Sequence, residues 1–293
     1  MSDDRKSLSD IVFASQASPD TVENHGMIGA STRMRALFAA LPRVAPALSP
    51  LLIAGERGTG KSLMARAVHG LSDRAEGPFV TVDCAAVPES QVHAALSSGL
   101  QSADGGTLVL NSIGGLSVDL QARLLRALRA ADTDVRIVST TDTDLEQAVE
   151  SDRFREALYF QLNVLSIKVP PLRERGRDVQ LLADFFLGKF TSPSSRRRVV
   201  GFSAEARLAM QQWSWPGNVR ELVNRIKKAI VMCEKGPLYS SDLDLDFDHR
   251  VHGQMVMTLD EARDAAELSA LLTALAAANG DIAVAAERLE TSR

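Results

Sequence analysis

Gly55-Glu56-Arg57-Gly58-Thr59-Gly60-Lys61-Ser62 fits the pattern G-x-x-x-x-G-K-[ST], and no other stretch constrains this chain as tightly. The pattern works only if a buried strand enters it and a helix leaves it. Its glycines then turn successive backbone N–H groups toward one phosphate, and the helix adds the positive end of its dipole. Both flanks are present. Leu51-Leu52-Ile53-Ala54 is a short apolar run leading into Gly55, and Ser62–Gly70 has helical spacing with Gly70 as its stop. Within the loop, Gly55, Gly58, Thr59 and Gly60 supply the cradle. Lys61 is expected to reach the β- and γ-phosphates of ATP, and Ser62 to hold the accompanying Mg²⁺.

The pattern on either side agrees with such a loop. A helical segment over 31–48, interrupted by Pro42 and Pro46, precedes it. Phe79–Val82, Thr107–Leu110 and Val135–Ser139 read as strands, with helical patterns such as Leu120–Ala131 between them and a further strand at Val164–Val169. Strands alternating with helices predict an α/β fold, a parallel sheet with crossover helices. After Pro170-Pro171 the pattern changes to three helices, Asp178–Phe190, Ser203–Trp213 and Asn218–Lys235. The expected organisation is therefore an N-terminal tail (1–24), an α/β nucleotide-binding part (25–170), a small helical lid (171–235), a linker (236–257) and an Ala-rich helical segment (258–293). The linker carries Asp242, Asp244, Asp246 and Asp248. That run lacks the glycine and the terminal glutamate of a calcium loop and reads as solvated.

Composition excludes several classes. Lys and Arg number 33 against 37 Asp and Glu, a net charge of -4, so no global basic field points to nucleic acid, although a local DNA-binding module stays open. Cys84 and Cys233 are the only cysteines and have no CxxC spacing. They read as small core residues rather than a disulfide framework or zinc site. The first residues are polar and acidic with no apolar leader core. No apolar run approaches the roughly 20 residues that span a bilayer. A soluble cytoplasmic protein with no membrane partner is expected.

From about Met27 to Arg293 a series of stretches can be set beside one family. They are GERGTGKS, ARAVH, GPFVTVDCAAVPES, ADGGTLVL, LQARLLRAL, DVRIVSTTDTDLE, RFREALYFQLNV, PPLRERGRDV and WSWPGNVRELVNRI. Together they resemble the AAA+ domain of bacterial enhancer-binding proteins, the σ54-dependent transcription activators. The segment EARDAAELSALLTALAAANGDIAVAAERLETSR is similar to the Fis-type helix-turn-helix that ends such proteins. The resemblance implies a P-loop NTPase AAA+ fold with a helical lid and a partial helix-turn-helix. It implies that Arg155 is an arginine finger acting on a neighbouring subunit's nucleotide, and that Arg220 is the sensor arginine of the lid. Both positions also suit surface or capping arginines.

Departures from the family pattern matter as much. The Walker B strand should end in Asp-Glu, but here it is followed by Asn111-Ser112. An amide is a poorer ligand for a hard cation than a carboxylate, and a serine cannot act as base toward water at neutral pH. Gln161 stands at a second arginine-finger position. Asp142 stands at the sensor asparagine, where a carboxylate would face the γ-phosphate as a like charge. The family's GAFTGA loop, which contacts σ54, has no counterpart in 91–102, and a second loop is shortened to Ala131-Asp132-Thr133-Asp134. Leu268–Ala278 and Asp281–Leu289 match the first helices of the Fis-type unit, with Thr291-Ser292-Arg293 as the turn. A recognition helix would follow. DNA contact is thus expected only if that unit is completed, the sequence being either naturally truncated or incomplete. With no receiver domain ahead of the AAA+ region, phosphorylation control within the chain is not expected.

The sequence therefore points to an ATP-binding transcriptional regulator with weak or no hydrolysis, in a homo-oligomer or a hetero-oligomer with a related AAA+ regulator. Two alternatives stay open. One is an active ATPase in which Asp104 or Asp142 replaces the missing carboxylates. The other is a nucleotide-independent interaction protein.

Overall fold

The computed structural model describes residues 23–24, 26–87, 89–130, 132–191, 198–233 and 235–245. The expected helix-turn-helix, residues 1–22 of the tail and the linker beyond 245 lie outside the described residues.

Five apolar runs form one parallel sheet: β1 (Leu51–Ala54), β2 (Phe79–Asp83), β3 (Thr107–Asn111), β4 (Arg136–Thr141) and β5 (Leu165–Lys168), in the order β2-β3-β4-β1-β5. Each run expected from the sequence is a strand, shifted by two residues at most. The central strands are buried on both faces, as a parallel sheet covered by crossover helices requires. Their side chains alternate with period two. Leu51, Ile53, Val109 and Val138 share one core with α1 (Thr32–Val44) and α2 (Lys61–Gly70). Leu52, Leu108 and Leu110 share the other with α3 (Glu89–Ser102), α4 (Val118–Ala130), α5 (Leu145–Glu150) and α6 (Glu156–Leu162).

Polar and charged side chains fix both ends of α1. The Ser31 hydroxyl accepts from the Met34 N–H at the N-terminus. The buried Asp178 carboxylate accepts from the backbone N–H of Ala30 and Ser31 at 2.7 and 2.8 Å. At the other end the buried Arg136 guanidinium donates to the carbonyls of Val44 and Ala45, which α1 leaves unpaired. Asp178 opens α7 (Asp178–Phe190), so this contact also ties the lid to the α/β layer.

The lid contains α7, α8 (Ala204–Gln212) and α9 (Asn218–Met232) around Trp215, which is wholly buried and donates its indole N–H to the Met210 carbonyl at 2.8 Å. Three expectations differ from the structure. The lid is not purely helical: β6 (Arg198–Phe202) and β7 (Lys235–Leu238) form a parallel ribbon, and α9 ends at Met232 rather than Lys235. Residues 236–245, expected as linker, belong to the lid core. Leu238, Leu243 and Leu245 are fully buried with Leu222 and Ile226, and each such leucine contributes roughly 1.5–3 kcal/mol. The intervening aspartates face solvent, where Asp244 pairs with Lys228 at 2.7 Å. The tail is shorter than expected, because Glu23–Asn24 pairs antiparallel with Met27–Ile28.

Among the described residues no helix is long and apolar enough to cross a membrane, and no group of three or more His, Cys, Asp or Glu could hold a metal. Both cysteines are free, and burial pushes the Cys84 thiol up to about 12, with Asp83 adding to the effect.

Candidate functional site

The loop between β1 and α2 lies at the C-terminal ends of the strands, where open parallel sheets bind ligands. Gly60 caps α2 with φ +102° and no side-chain partner, leaving the first N–H groups of the helix directed out of the fold. A Cβ on Gly60 would meet nothing within 4 Å, so the space above the cradle is open. Gly58 is the opposite case. A Cβ there would lie 2.2 Å from the Gly217 carbonyl oxygen, because the loop is pressed against the lid.

This cleft has a volume of about 650 Å³ and brings together Gly58, Gly60, Lys61, Ser62, Asn111, Ser112 and Arg220. Gly55 and Thr59 support it from behind: the Gly55 N–H donates to the Thr141 carbonyl at 3.1 Å, and the Thr59 hydroxyl to the Glu56 carbonyl at 2.8 Å. Lys61 Nζ folds onto the carbonyls of Gly55 and Glu56 at 2.6 and 2.9 Å. Burial lowers its pKa, partly opposed by Asp142, and Arg220 and Arg57 lower it further. Lys61, Arg57 and Arg220 place three cations around one opening, which suits a polyphosphate.

The Walker B strand ends differently. Asn111 Oδ1 accepts the Thr140 hydroxyl at 3.0 Å, and the same hydroxyl accepts the Ser112 N–H at 3.2 Å. Ser112 sits in the left-handed region at φ +57°. Neither side chain presents a charge to the cleft. Asp142 forms an ion pair with Arg57 of the loop. Burial would raise its pKa, but the Arg57 guanidinium more than offsets this and holds it below the usual carboxylate range. Asp104 lies before β3, at the opposite end of the sheet, where it accepts the Asp134 N–H at 2.9 Å. The carboxylate that lines the cleft is Asp83, at the end of β2. With Ser62 and the Asn111 amide it gives an all-oxygen donor set, the kind a hard cation such as Mg²⁺ accepts beside phosphates.

Arg155 is not in this cleft. It precedes α6, its Nε donating to the Val118 carbonyl at 3.0 Å and its N–H to Gln121 Oε1 at 2.7 Å. Gln161 lines a separate cavity of about 190 Å³ with Leu48 and Pro50, at the other end of the strands.

Three residues that sequence reasoning passed over shape the loop from the lid side. Asn218, wholly buried at φ +52°, donates to Glu56 Oε2 at 3.1 Å and to the Arg57 carbonyl at 3.0 Å, and accepts the Leu172 N–H at 2.7 Å. Arg173 grips Glu56 with both guanidinium nitrogens. That hydrogen bond, against the effect of burial and with help from Asn218 and Lys61, lowers the Glu56 pKa from 4.5 to about 2. Arg175, held down to about 10 by burial, donates to the Thr59 and Pro170 carbonyls at 2.8 and 2.9 Å. Asn218 carried a sequence signal, since it opens the lid helix two residues before Arg220. The pairing of Glu56 with Arg173 carried none.

Comparison with known proteins agrees with this geometry. Residues 27–168 match the Sigma-54 interaction domain, and residues 173–258 match the AAA+ ATPase lid domain. The transcriptional regulatory protein ZraR of Escherichia coli K12 is 39% identical over 238 residues, covering 72% of this chain and 54% of ZraR. ZraR of Klebsiella oxytoca is 36% identical over 300 aligned positions, covering 92% of this chain and 67% of that protein. The chain thus spans about half to two thirds of these relatives. NtrX of Brucella abortus, solved in complex with ATP, superposes with a TM-score of 0.68 at 30% identity, covering 91% of this chain and 66% of NtrX. With its parallel sheet, P-loop and lid in the same arrangement, the chain belongs to the σ54-dependent enhancer-binding family of AAA+ regulators.

Proposed function

We propose that this chain is an ATP-binding transcriptional regulator that hydrolyses ATP weakly or not at all. It acts by assembling with itself or with a related AAA+ regulator rather than by remodelling σ54 polymerase in the family's usual way. One observation carries this reading. The cleft keeps its phosphate cradle and three surrounding cations, while Asn111 and Ser112, at the two hydrolytic positions, are uncharged, and the Asn111 amide oxygen is held by the Thr140 hydroxyl. A positioned base contributes typically about 10²–10⁴-fold, and Ser112 offers none. ATP in the related NtrX structure supports nucleotide as the ligand. The position of Arg155, outside its own chain's cleft, suits action on a neighbour.

The face that carries the σ54-contact loops in the family also supports the reading. Helix α3 runs to Ser102, and only four residues separate it from β3. That turn is tied to the one before β4: the Gly105 N–H donates to the Asp134 carbonyl at 3.0 Å, and Asp104 accepts the Asp134 N–H at 2.9 Å. Two short turns bonded to each other leave little chain to project toward a partner. The test is a titration of the protein with ATP and Mg²⁺, following heat of binding and phosphate release in the same samples, with oligomer size measured in parallel. Binding without turnover is expected, and turnover near about 1 s⁻¹, the low end of ordinary enzymes, would refute the reading.

A further inference from the structure

The proposed loss of hydrolysis leaves a physical question at the same site, namely what anchors the metal of a bound Mg²⁺–ATP. An amide at 111 is a weak ligand for a hard cation. Of the acidic candidates visible in the sequence, Asp104 is at the far end of the sheet, and Asp142, although close enough to act on Lys61, is committed to Arg57 and does not line the cleft.

Strand β2 supplies the alternative. β2 and β3 are parallel, and Asp83 is the register partner of Asn111. Adjacent strands lie about 4.8 Å apart, and in-register residues present their side chains to the same face of the sheet. Asp83 therefore carries a carboxylate one strand over from the position Asn111 occupies. It lines the same cleft as Lys61 and Ser62, and it is the one carboxylate to do so among the described residues. Its Oδ1 accepts the Ala85 N–H at 3.1 Å. A carboxylate has about four acceptor sites, so this bond leaves acceptor capacity for a ligand.

We infer that Asp83 is the metal-anchoring carboxylate of this site, holding the Mg²⁺ of a bound nucleoside triphosphate together with Ser62 in place of the family's Walker B aspartate. The inference rests on the nucleotide reading above and deepens it. Mg²⁺ is commonly held by one or two carboxylates plus substrate phosphates, the rest of its octahedron being water, and Asp83 with Ser62 and two phosphate oxygens meets that pattern. Asp83 stands beside Asn111 and not beside Ser112, so it anchors metal without replacing the base, and metal-dependent binding coexists with weak turnover.

The experiment is calorimetric titration of the full chain with ATP, in EDTA and in excess Mg²⁺ at matched ionic strength, for wild type, Asp83→Asn, and Asp83→Asn combined with Asn111→Asp. Asn keeps the oxygen that accepts from Ala85, so the local turn is retained. In the wild type Mg²⁺ should tighten ATP binding by about tenfold. In Asp83→Asn that gain should vanish, while binding in EDTA becomes equal or tighter, because a negative charge facing the triphosphate has gone. Moving the carboxylate back to 111 should restore the gain. Mn²⁺ bound with ATP, followed by electron paramagnetic resonance, should show the same loss and recovery. An undiminished Mg²⁺ effect in Asp83→Asn, or ATP binding in the wild type that ignores Mg²⁺, overturns the inference and leaves the nucleotide reading intact. No ATP binding in either buffer overturns both.

Discussion

Asn218→Ala tests whether the lid shapes the phosphate loop. Asn218 is wholly buried and its amide bridges three partners: the Leu172 N–H at 2.7 Å, the Arg57 carbonyl at 3.0 Å and Glu56 Oε2 at 3.1 Å. Truncation leaves the Leu172 donor and the Arg57 acceptor without that partner, at about 1–3 kcal/mol for each buried group. The backbone adds to the cost. At φ +52° asparagine is tolerated, whereas alanine loses a further 1–2 kcal/mol or so. Partial relaxation and water entry reduce the sum, so the expected loss is about 3–5 kcal/mol for Ala. Asn218→Gly removes the same hydrogen bonds without the backbone penalty and should cost about 1 kcal/mol less than Ala. Urea denaturation of both variants reads these values, and ATP titration reads the effect on the loop, where weaker binding is expected. A loss under about 1 kcal/mol for Ala, or a glycine variant less stable than the alanine one, would refute the assignment of Asn218 as a buried bridge.

Lys61→Ala should weaken ATP binding at least tenfold, about 1.4 kcal/mol; unchanged affinity in a calorimetric titration would mean that the cradle is not in use. Asn111→Asp with Ser112→Glu should raise phosphate release by about a hundredfold, the low end for a restored base, and a variant as slow as the parent would place the deficit at Gln161 or Asp142. Glu56 gives a pH signature. Its pKa falls from 4.5 to about 2 on folding, so its stabilising effect is fully present above about pH 4.5 and is lost as pH drops toward 2. With its side chain 40% exposed the effect is discounted to about 1 kcal/mol. The stability difference between wild type and Glu56→Gln should shrink by about half that amount between about pH 5 and pH 3 in denaturant titrations, the rest being lost as pH falls through about 2.

What the sequence made legible were features written in local period. The five strands stood out because parallel strands buried on both faces are short apolar runs, and the cradle stood out because its glycines fall between such a run and a helix. The leucines of 236–245 were missed because charged residues interleave with them. Leu243 and Leu245 alternate with Asp242 and Asp244, which reads as a solvated stretch until a partner surface covers one side. Contacts that join distant segments carried no such period. Asn218 and Glu56 are 162 positions apart, and no spacing rule relates them. Asp83 belongs to the same class: its place beside Asn111 follows from the register of β2 on β3, which exists only once the sheet is assembled.

A regulator without turnover can still use ATP if binding and lid position share a structure, and the junction of lid and phosphate loop supplies one. The Arg220 N–H donates to the Gly58 carbonyl at 3.3 Å, Asn218 holds the Arg57 carbonyl, and Arg175 holds the Thr59 carbonyl. Three consecutive carbonyls of the loop are thus set by the lid, so a phosphate that reorders the loop must act on the lid through them. The magnitudes fit this role. A ligand at a hundred times its Kd stabilises the form it prefers by about 2.7 kcal/mol. That is of the order of one or two buried hydrogen bonds, which is enough to re-set this junction. It is far less than the lid core provides, where Leu222, Ile226, Leu238, Leu243 and Leu245 each bring roughly 1.5–3 kcal/mol of burial. Nucleotide should therefore move the lid as a unit without unfolding it, and any ring contact that depends on lid position then responds to ATP without a hydrolytic step.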